Sequence, residues 1–274
     1  MSEVRIDVLA LNDLLRRASA EQIMPRFRRL GPGSIRSKSS VLDLVTDADV
    51  AAEATITAEL LACYPDALVV GEEAAAADPG LIDGIADADL AFIVDPIDGT
   101  SNFAAGIGLF GVMLAVVQRN EVIAGIIYDP VADDSAIAVR GEGAWLQDAA
   151  GNRTRLRAAP AAPLELMRGS WSWRYFPRND RPRLIGLAAQ MGNVFDFRCA
   201  AHHYRMIAAG HSHFSLYHRL LPWDHAAGWL LHSEAGGHGA MLDGSRYRPS
   251  NADGAYLCAP DRECWEEICG LITG

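Results

Sequence analysis

The chain has 274 residues, of which 50 % are hydrophobic and 22 % charged, and its formal net charge at pH 7 is −11. This composition is typical of a folded globular protein and excludes a disordered chain. The acidic balance disfavours binding to nucleic acid, which requires clustered positive charge. We therefore expect no nucleic-acid partner, and the length suits one large domain or two halves that share a core.

The amino-terminal sequence and the cysteines bear on the cellular compartment. The first residues, MSEVRIDVLALNDLL, carry acidic side chains among the apolar ones and lack the apolar core of a signal peptide. The apolar run LFGVMLAVV, which begins at Leu109, is too short to span a bilayer. The five cysteines are scattered and form no CxxC pair, which is typical of reduced thiols. These features predict a cytoplasmic protein without a membrane partner.

The beginning of the chain predicts two helices followed by two strands. Apolar residues recur at helical spacing from Val4 to Phe27 and predict one long amphipathic helix, which the glycines and proline of residues 31–34 end. A second helix is predicted over residues 47–63, with Thr46 as its N-cap. Two buried strands that end in acidic side chains are predicted next, over residues 67–73 and 89–96.

The rest of the chain predicts strands first and then an alternation of strands and helices. Short strands joined by turns at residues 119–120 and 141–143 are indicated up to residue 147. The proline- and alanine-rich residues 157–165 then mark a boundary between two expected halves, residues 1–157 and 158–274. In the second half, helices are expected near residues 182–191, at 200–209 and from Trp223. These patterns predict a layered α/β (α+β) architecture.

Acidic side chains end three of the predicted apolar segments. Glu72 follows the first strand, Asp95 and Asp98 end the second, and Asp224 begins a later helix. Each alone is typical of a strand end or helix cap, but open α/β sheets bind their ligands at the carboxyl ends of strands. Carboxylates that converge there repel one another unless they bind protons or cations, and an all-oxygen ligand set suits Mg²⁺. The sequence predicts a Mg²⁺ site in which Asp95 bridges two ions and Asp98, one turn further on, holds the second.

The residues that follow Asp98 indicate the group on which this metal site acts. Gly99 allows close approach of the backbone, and the N–H groups at the start of the short segment GTSNF can bind phosphate oxygens. The hydroxyl group of Thr100 can orient a water molecule, provided that another residue accepts its proton. Gly99 and Thr100 are therefore predicted to bind a phosphate group and the attacking water.

Four motifs follow one another along the chain: DLVTDAD at residues 43–49, GEE at 71–73, DPIDGTSNF at 95–103 and WDHAAG at 223–228. In this order and spacing they resemble the inositol monophosphatase family of Mg²⁺-dependent, lithium-sensitive phosphomonoesterases. The resemblance implies an inositol monophosphatase/fructose-1,6-bisphosphatase-like sandwich of alternating α and β layers, and a site for two or three Mg²⁺ ions. Because family members are commonly homodimers, it also implies a homodimer.

Carried over residue by residue, the resemblance assigns roles within the site. It implies five metal ligands: Glu72, Asp95, the Ile97 carbonyl, Asp98 and Asp224. Glu72 also helps to activate the attacking water, which Thr100 holds while Asp49 orients Thr100. Lys38, on a loop that is mobile in the family, favours the binding of metal and phosphate. This mechanism is an in-line displacement by water and needs no covalent enzyme intermediate.

The residues expected beside the substrate depart from the family pattern. Inositol-specific members carry a glutamate seven residues before the last aspartate, where this chain has Tyr217. Bulky His202 and His203 lie close to where family members present small residues to the substrate. We expect the substrate to contact a mixed set of residues, namely Asp98, Gly99, Thr100, Ala200, Tyr217, His218 and Asp224.

The predicted activity is hydrolysis of a small polyol or sugar phosphate that resembles inositol 1-phosphate. The departures beside the substrate leave two alternatives in the same class, a histidinol-phosphate phosphatase and a 3′-phosphonucleotide phosphatase. An alternative of another class is a regulatory protein that binds macromolecules and keeps residual phosphatase activity, because the motifs also resemble bacterial extragenic-suppressor members of the family. The intact set of metal ligands favours the enzyme.

Overall fold

The computed structural model of the chain describes residues 6–31, 33–37, 44–251 and 253–274. Lys38, for which the sequence predicts a role in the site, lies outside these ranges, as does the beginning of the helix predicted from Val4. Within the described ranges, no helix is both long enough and apolar enough to cross a membrane.

The amino-terminal helix is shorter than the sequence predicts. Helix α1 (Val8–Ala18) is capped by the carboxylate of Asp7 and passes into a π-helical turn, Ser19–Ile23. The prediction of regular helix up to Phe27 is therefore wrong in its second half. Ile23 and Phe27 still pack in the same core as α1, because a spacing of four residues places two side chains on one side in either kind of turn.

Helix α2 (Asp47–Cys63) begins and ends where the sequence predicts. Thr46 is its N-cap, and the Asp49 carboxylate accepts the Thr46 N–H at 2.9 Å, which completes a capping box. Two short antiparallel strands, β1 (Ile35–Ser37) and β2 (Leu44–Thr46), precede the helix. The cap fixes the point at which the chain leaves β2, and with it the position of Asp49.

A seven-stranded sheet carries the candidate site. In spatial order its strands are β3 (Leu68–Gly71), β4 (Ala91–Asp98), β5 (Gly111–Gln118), β6 (Glu121–Asp129), β7 (Asp134–Val139), β8 (Gly143–Gln147) and β9 (Arg153–Arg155). The first two strands are parallel, whereas each later strand pairs antiparallel with the one before it. Three short helices lie near its first two strands in sequence: α3 (Glu72–Ala77), α4 (Gly80–Asp83) and α5 (Thr100–Ala104).

The predicted turn between β5 and β6 is confirmed. Arg119 and Asn120 connect these strands with φ angles of 50° and 58°. Two successive left-handed residues are what a two-residue hairpin of type I′ requires. The turn predicted at residues 141–143 likewise joins β7 to β8, so the antiparallel part of the large sheet follows the order read from the sequence.

The second half of the chain forms a five-stranded sheet. In spatial order its strands are β11 (Asn193–Phe195), β10 (Arg168–Trp171), β12 (Phe214–Tyr217), β14 (Tyr256–Ala259) and β13 (His238–Met241). Strand β10 is parallel to both neighbours, and β14 is antiparallel to both of its own. The helices of this half are α6 (Arg181–Ala188), α7 (Ala200–Ala208), α8 (Pro222–Glu234) and α9 (Arg262–Thr273). The first three match the predicted helices.

Helices and sheets alternate in layers, as the sequence predicts. Helices α1 and α2 cover one face of the seven-stranded sheet through residues such as Leu15. Helices α7 and α8 lie between the two sheets, where Leu230 is buried. Helices α6 and α9 cover the outer face of the five-stranded sheet, where Ile268 is buried. The division into halves at residue 157 stays a prediction.

Helix α8 touches the large sheet at Gly125. A Cβ atom added at Gly125 would lie 2.7 Å from the carbonyl oxygen of Ala227 and 2.9 Å from its Cα atom. These are backbone atoms, so they cannot move aside as a flexible side chain can. Because Asp224 lies on the first turn of α8, this close approach also sets the distance between Asp224 and the sheet.

Gly125→Ala should lower the free energy of unfolding by about 1–3 kcal/mol, the usual cost of overpacking a core. Gly186→Ala is the matched control, since a Cβ atom there would have no atom within 4 Å, and alanine is preferred to glycine inside a helix by roughly 0.5–1 kcal/mol. Urea unfolding measures both changes. Equal shifts in the two variants would contradict the packing described for α8.

Candidate active site

A β-bulge brings Asp95 and Asp98 to the same side of strand β4. Asp95 pairs with Met113 and Asp98 with Gly111, so β4 has one more residue than β5 between these pairs. In a regular strand, residues three apart point to opposite faces, and an inserted residue removes this difference. Pro96 lies in the bulge, where its lack of an N–H group costs no ladder hydrogen bond. Asp98 therefore ends a bulged strand. The sequence predicts it one turn after Asp95, whereas the structure places both residues on the same strand.

The acidic residues predicted from separate motifs converge at the ends of β3 and β4. Carboxylate oxygens of Asp95, Asp98 and Asp224 all lie within 4.8 Å of one another. Glu72, the first residue of α3, lines the same cavity, and so does Ile97. Strands β3 and β4 are parallel, so their carboxyl ends meet at one edge of the sheet. We refer to this cavity as the acidic cavity.

The electrostatics of the acidic cavity favour a bound cation. Burial, followed by the charges of Glu72, Asp98 and Asp224, raises the pKa of Asp95 well above its ordinary value. Burial, followed by the charges of Asp98 and Glu72, also raises the pKa of Asp224 well above its ordinary value, and the Arg219 guanidinium opposes only part of this rise. Buried carboxylates of like charge are costly to keep ionised unless a cation compensates them. The donors are all oxygen atoms, which is the set that Mg²⁺ prefers, so these residues fit the predicted metal.

Asp98 is held by the beginning of helix α7. Its Oδ2 atom accepts the N–H of Ala201 at 2.5 Å and the thiol of Cys199 at 3.0 Å. Burial raises the pKa of Asp98 to about 6, and these two hydrogen bonds oppose the rise. Burial also raises the pKa of Cys199, so its thiol stays protonated and can donate. The sequence analysis did not anticipate Cys199, because it lies more than a hundred positions from Asp98 along the chain.

Thr100 and Asp49 lie within hydrogen-bonding distance of each other. The Thr100 hydroxyl can donate to Asp49 Oδ1 at 3.2 Å or to the carbonyl oxygen of Ile97 at 3.0 Å. The other carboxylate oxygen of Asp49 accepts both the N–H and the hydroxyl of Thr46, at 2.9 and 2.5 Å. Asp49 is therefore held by the N-cap of α2 while one of its oxygens faces Thr100.

Glu53 is a site residue that the sequence analysis missed. It lies one turn after Asp49 on α2, and its carboxylate accepts the N–H groups of Glu73 and Ala74, both at 2.8 Å. These are N–H groups of the first turn of α3, which have no acceptor within their own helix. A Cβ atom at Gly71 would lie 2.2 Å from Glu53, so the glycine of GEE makes room for this cap. Glu53 thereby fixes the start of the helix that carries Glu72.

A second cavity of about 90 Å³ adjoins the acidic cavity and shares Asp98 and Asp224 with it. The predicted substrate contacts Ala200, Tyr217 and His218 all line this adjoining cavity. Tyr217 is only 4 % exposed. Its ring packs against other aromatic rings, with centroid distances of 5.3 Å to Tyr204 and 4.6 Å to His225. The position where inositol-specific relatives have an acid is thus part of an aromatic cluster.

The chain belongs to the inositol monophosphatase family, whose model matches residues 7–273. It is 33 % identical to the Nus factor SuhB of Pseudomonas aeruginosa, over 96 % of this chain and 95 % of the relative. It is 31 % identical to the fructose-1,6-bisphosphatase/inositol-1-monophosphatase of Thermotoga maritima, over 74 % and 73 %. A solved Thermotoga maritima IMPase matches with a TM-score of 0.81 at 26 % identity and covers 98 % of this chain and 97 % of that one. The predicted family and layered fold are confirmed.

Asp224→Asn should leave the melting temperature of the metal-free protein unchanged or raise it, because a neutral amide removes one of the crowded buried charges. It should reduce the rise in melting temperature that Mg²⁺ produces, which for a single site at a hundredfold excess over Kd corresponds to about 2.7 kcal/mol. Asp66→Asn, at an exposed position outside the cavity, is the control and should keep the full shift. A wild-type Mg²⁺ shift in Asp224→Asn would contradict the site.

Proposed function

We propose that the protein is a Mg²⁺-dependent phosphomonoesterase that hydrolyses a small polyol or sugar phosphate. The observation that carries the proposal is the convergence of Asp95, Asp98 and Asp224 within 4.8 Å, with the Thr100–Asp49 hydrogen bond beside them. Membership of the inositol monophosphatase family supports the same activity. An acidic cluster alone could bind a metal, but the adjacent hydroxyl supplies a place for a nucleophilic water.

The proposed metal site uses residues from three segments of the chain. Glu72, Asp95, Asp98, Asp224 and the carbonyl oxygen of Ile97 would hold two or three Mg²⁺ ions. When bound, the metal supplies positive charge that offsets the charge on the phosphate oxygens during in-line displacement and makes water a better nucleophile. The hydrogen bonds from Ala201 and Cys199 to Asp98 hold one of these carboxylates in place before the metal binds.

Thr100 and Glu72 would position the attacking water. With the Thr100 hydroxyl donating to Asp49, its oxygen keeps lone pairs that can accept a hydrogen bond from the water. Asp49 cannot turn away, because Thr46 occupies its other oxygen. The water oxygen would bond to phosphorus as the ester P–O bond breaks, and the products would be the alcohol and inorganic phosphate. No covalent bond to the enzyme is required.

The two cavities support a division of the proposed substrate contacts into a phosphate side and an alcohol side. The backbone at Gly99 and Thr100 would bind the transferred phosphate, and Lys38 would favour the binding of metal and phosphate. Ala200, Tyr217 and His218 would line the alcohol side. Histidinol phosphate and a 3′-phosphonucleotide remain alternative substrates of the same class, and a homodimer remains the predicted assembly.

A regulatory function is the second candidate, because relatives at 33 and 34 % identity carry the name Nus factor SuhB. In this alternative the chain binds a macromolecular partner and phosphate release is residual. The net charge of −11 disfavours direct contact with nucleic acid, so a protein partner fits this alternative better. A folded protein that binds Mg²⁺ and releases no phosphate from any ester would favour it over the enzyme.

Phosphate release from a panel of phosphomonoesters should require Mg²⁺. Excess EDTA should abolish the release and added Mg²⁺ should restore it, because the proposed ligands are all oxygen atoms. Lithium and Ca²⁺ should inhibit, as the family membership suggests. Full activity in EDTA, or activation by zinc alone, would contradict a site of this type.

Thr100→Ala should lower kcat about a hundredfold for every ester, the size of effect expected when the attacking group is misplaced. KM should change little, because the hydroxyl acts on the water and does not bind the alcohol. Thr100→Ser keeps the hydroxyl and is the matched control, which should retain most of the activity. A change in the ranking of substrates in Thr100→Ala would place Thr100 on the alcohol side instead.

A further inference from the structure

Three arginines from separate segments line the adjoining cavity. Arg174 follows strand β10, Arg198 precedes helix α7, and Arg219 lies between β12 and α8. Among the described residues, none of their guanidinium groups lies within salt-bridge distance of a carboxylate, whereas Arg205 pairs with Asp134 elsewhere on the large sheet. The charge of Arg219 still lowers the pKa of Asp224 at longer range. Within the described part of the chain, the guanidinium N–H groups of Arg174 and Arg219 have no hydrogen-bond acceptor, so they are available to a ligand.

Among the described residues that line this cavity, Asp196 supplies the one carboxylate outside the acidic cluster, and it is engaged with neighbouring groups. Asp196 Oδ1 accepts the backbone N–H of Arg198 at 2.8 Å and lies 3.8 Å from Nε2 of His203. In the described part of the chain, its ion-pair partner is His203 and none of the three arginine side chains. Away from Asp98 and Asp224, the wall of the adjoining cavity thus presents three guanidinium groups and one carboxylate, whereas a polyol-binding site would present acceptors for hydroxyl groups.

Arg198 differs from the other two arginines in its position. It lines both cavities, and its guanidinium donates to Ser101 Oγ at 2.9 Å, next to the predicted phosphate-binding residues. Its φ angle is 55°, a left-handed conformation that a glycine adopts more easily. Arg198 is therefore placed to contact the transferred phosphate, whereas Arg174 and Arg219 line the adjoining cavity alone.

We propose that the substrate is a phosphomonoester whose alcohol carries a second anionic group, a carboxylate or another phosphate, bound by Arg174 and Arg219. The proposal rests on the phosphatase function and specifies its substrate class. Guanidinium groups bind planar carboxylates and phosphates through paired, charge-assisted hydrogen bonds. The same reasoning accounts for Tyr217, because an acid at that position would repel an anionic alcohol.

Two matched pairs of esters test this substrate class. 2-Phosphoglycerate and glycerol 2-phosphate differ in one carboxylate, and fructose 1,6-bisphosphate and fructose 1-phosphate differ in one phosphate. In the wild-type protein with Mg²⁺, kcat/KM should be at least about tenfold higher for the more anionic member of one pair, the size expected from a charge-assisted hydrogen bond. The pair that responds identifies the second group as carboxylate or phosphate.

Substitutions connect this preference to the arginines. Arg219→Gln and Arg174→Gln should each reduce the kcat/KM ratio within the responding pair about tenfold, and Arg219→Lys should restore part of it. Arg178→Gln is the control, since Arg178 is exposed near Arg174 but does not line the cavity. Equal kcat/KM values within both pairs, or a ratio that Arg174→Gln and Arg219→Gln leave unchanged, would overturn the proposal.

Failure of the phosphatase function can be told apart from failure of this inference. Hydrolysis of neutral-alcohol esters with no preference for the anionic members would support the enzyme and overturn the second anion. If no ester is hydrolysed, the same pairs can be compared by equilibrium binding to Thr100→Ala in Mg²⁺. Tighter binding of the more anionic member, lost in Thr100→Ala/Arg219→Gln, would still support the cavity assignment, and equal binding would overturn it.

Discussion

The crowding of like charges at the edge of the large sheet is the constraint on which the rest of the site depends. Asp95 and Asp98 are buried, and Asp224 lies with them inside 4.8 Å. Such an arrangement is unfavourable in a folded chain unless neutral donors and a cation offset it. The donors come from elements far apart in sequence, such as the start of α7 at Ala201. The fold thus holds together a cluster that would otherwise disperse.

Much of this arrangement could be predicted because it depends on local sequence. The capping box at Thr46 and Asp49, the left-handed turn at Arg119, and the acids that end β3 and β4 each lie within a few residues of the pattern that identifies them. The layered order of the chain followed from the same local signals. The acids could be grouped because parallel strands bring their carboxyl ends to one edge.

The residues that could not be predicted act through tertiary contacts. Glu53 shows no pattern of its own on α2, yet it caps α3 because the two helices meet beside Gly71. Cys199 looked like a scattered buried thiol, and its hydrogen bond to Asp98 depends on how α7 docks against β4. Likewise, the spacing of apolar residues could not distinguish the regular helix that ends at Ala18 from the π-helical turn that begins at Ser19. In both kinds of turn, residues four apart lie on the same side.

The proposed phosphate side and the proposed alcohol side of the site lie in different cavities, and these cavities are built from different parts of the fold. The acidic cavity is lined largely by the end of β4 and by the residues that follow β3 and β4. Asp49, held by the capping box of α2, contacts it through Thr100. The adjoining cavity takes its arginines from segments that connect the strands and helices of the second sheet, and loops tolerate substitution better than the elements they join. A loop residue such as Arg219 can therefore change in the adjoining cavity without disturbing the Thr100–Asp49 hydrogen bond, whereas Tyr217 lies on strand β12. Among the three arginines, Arg198 is the exception, because it lines both cavities and so connects the proposed phosphate side of the site with the proposed alcohol side.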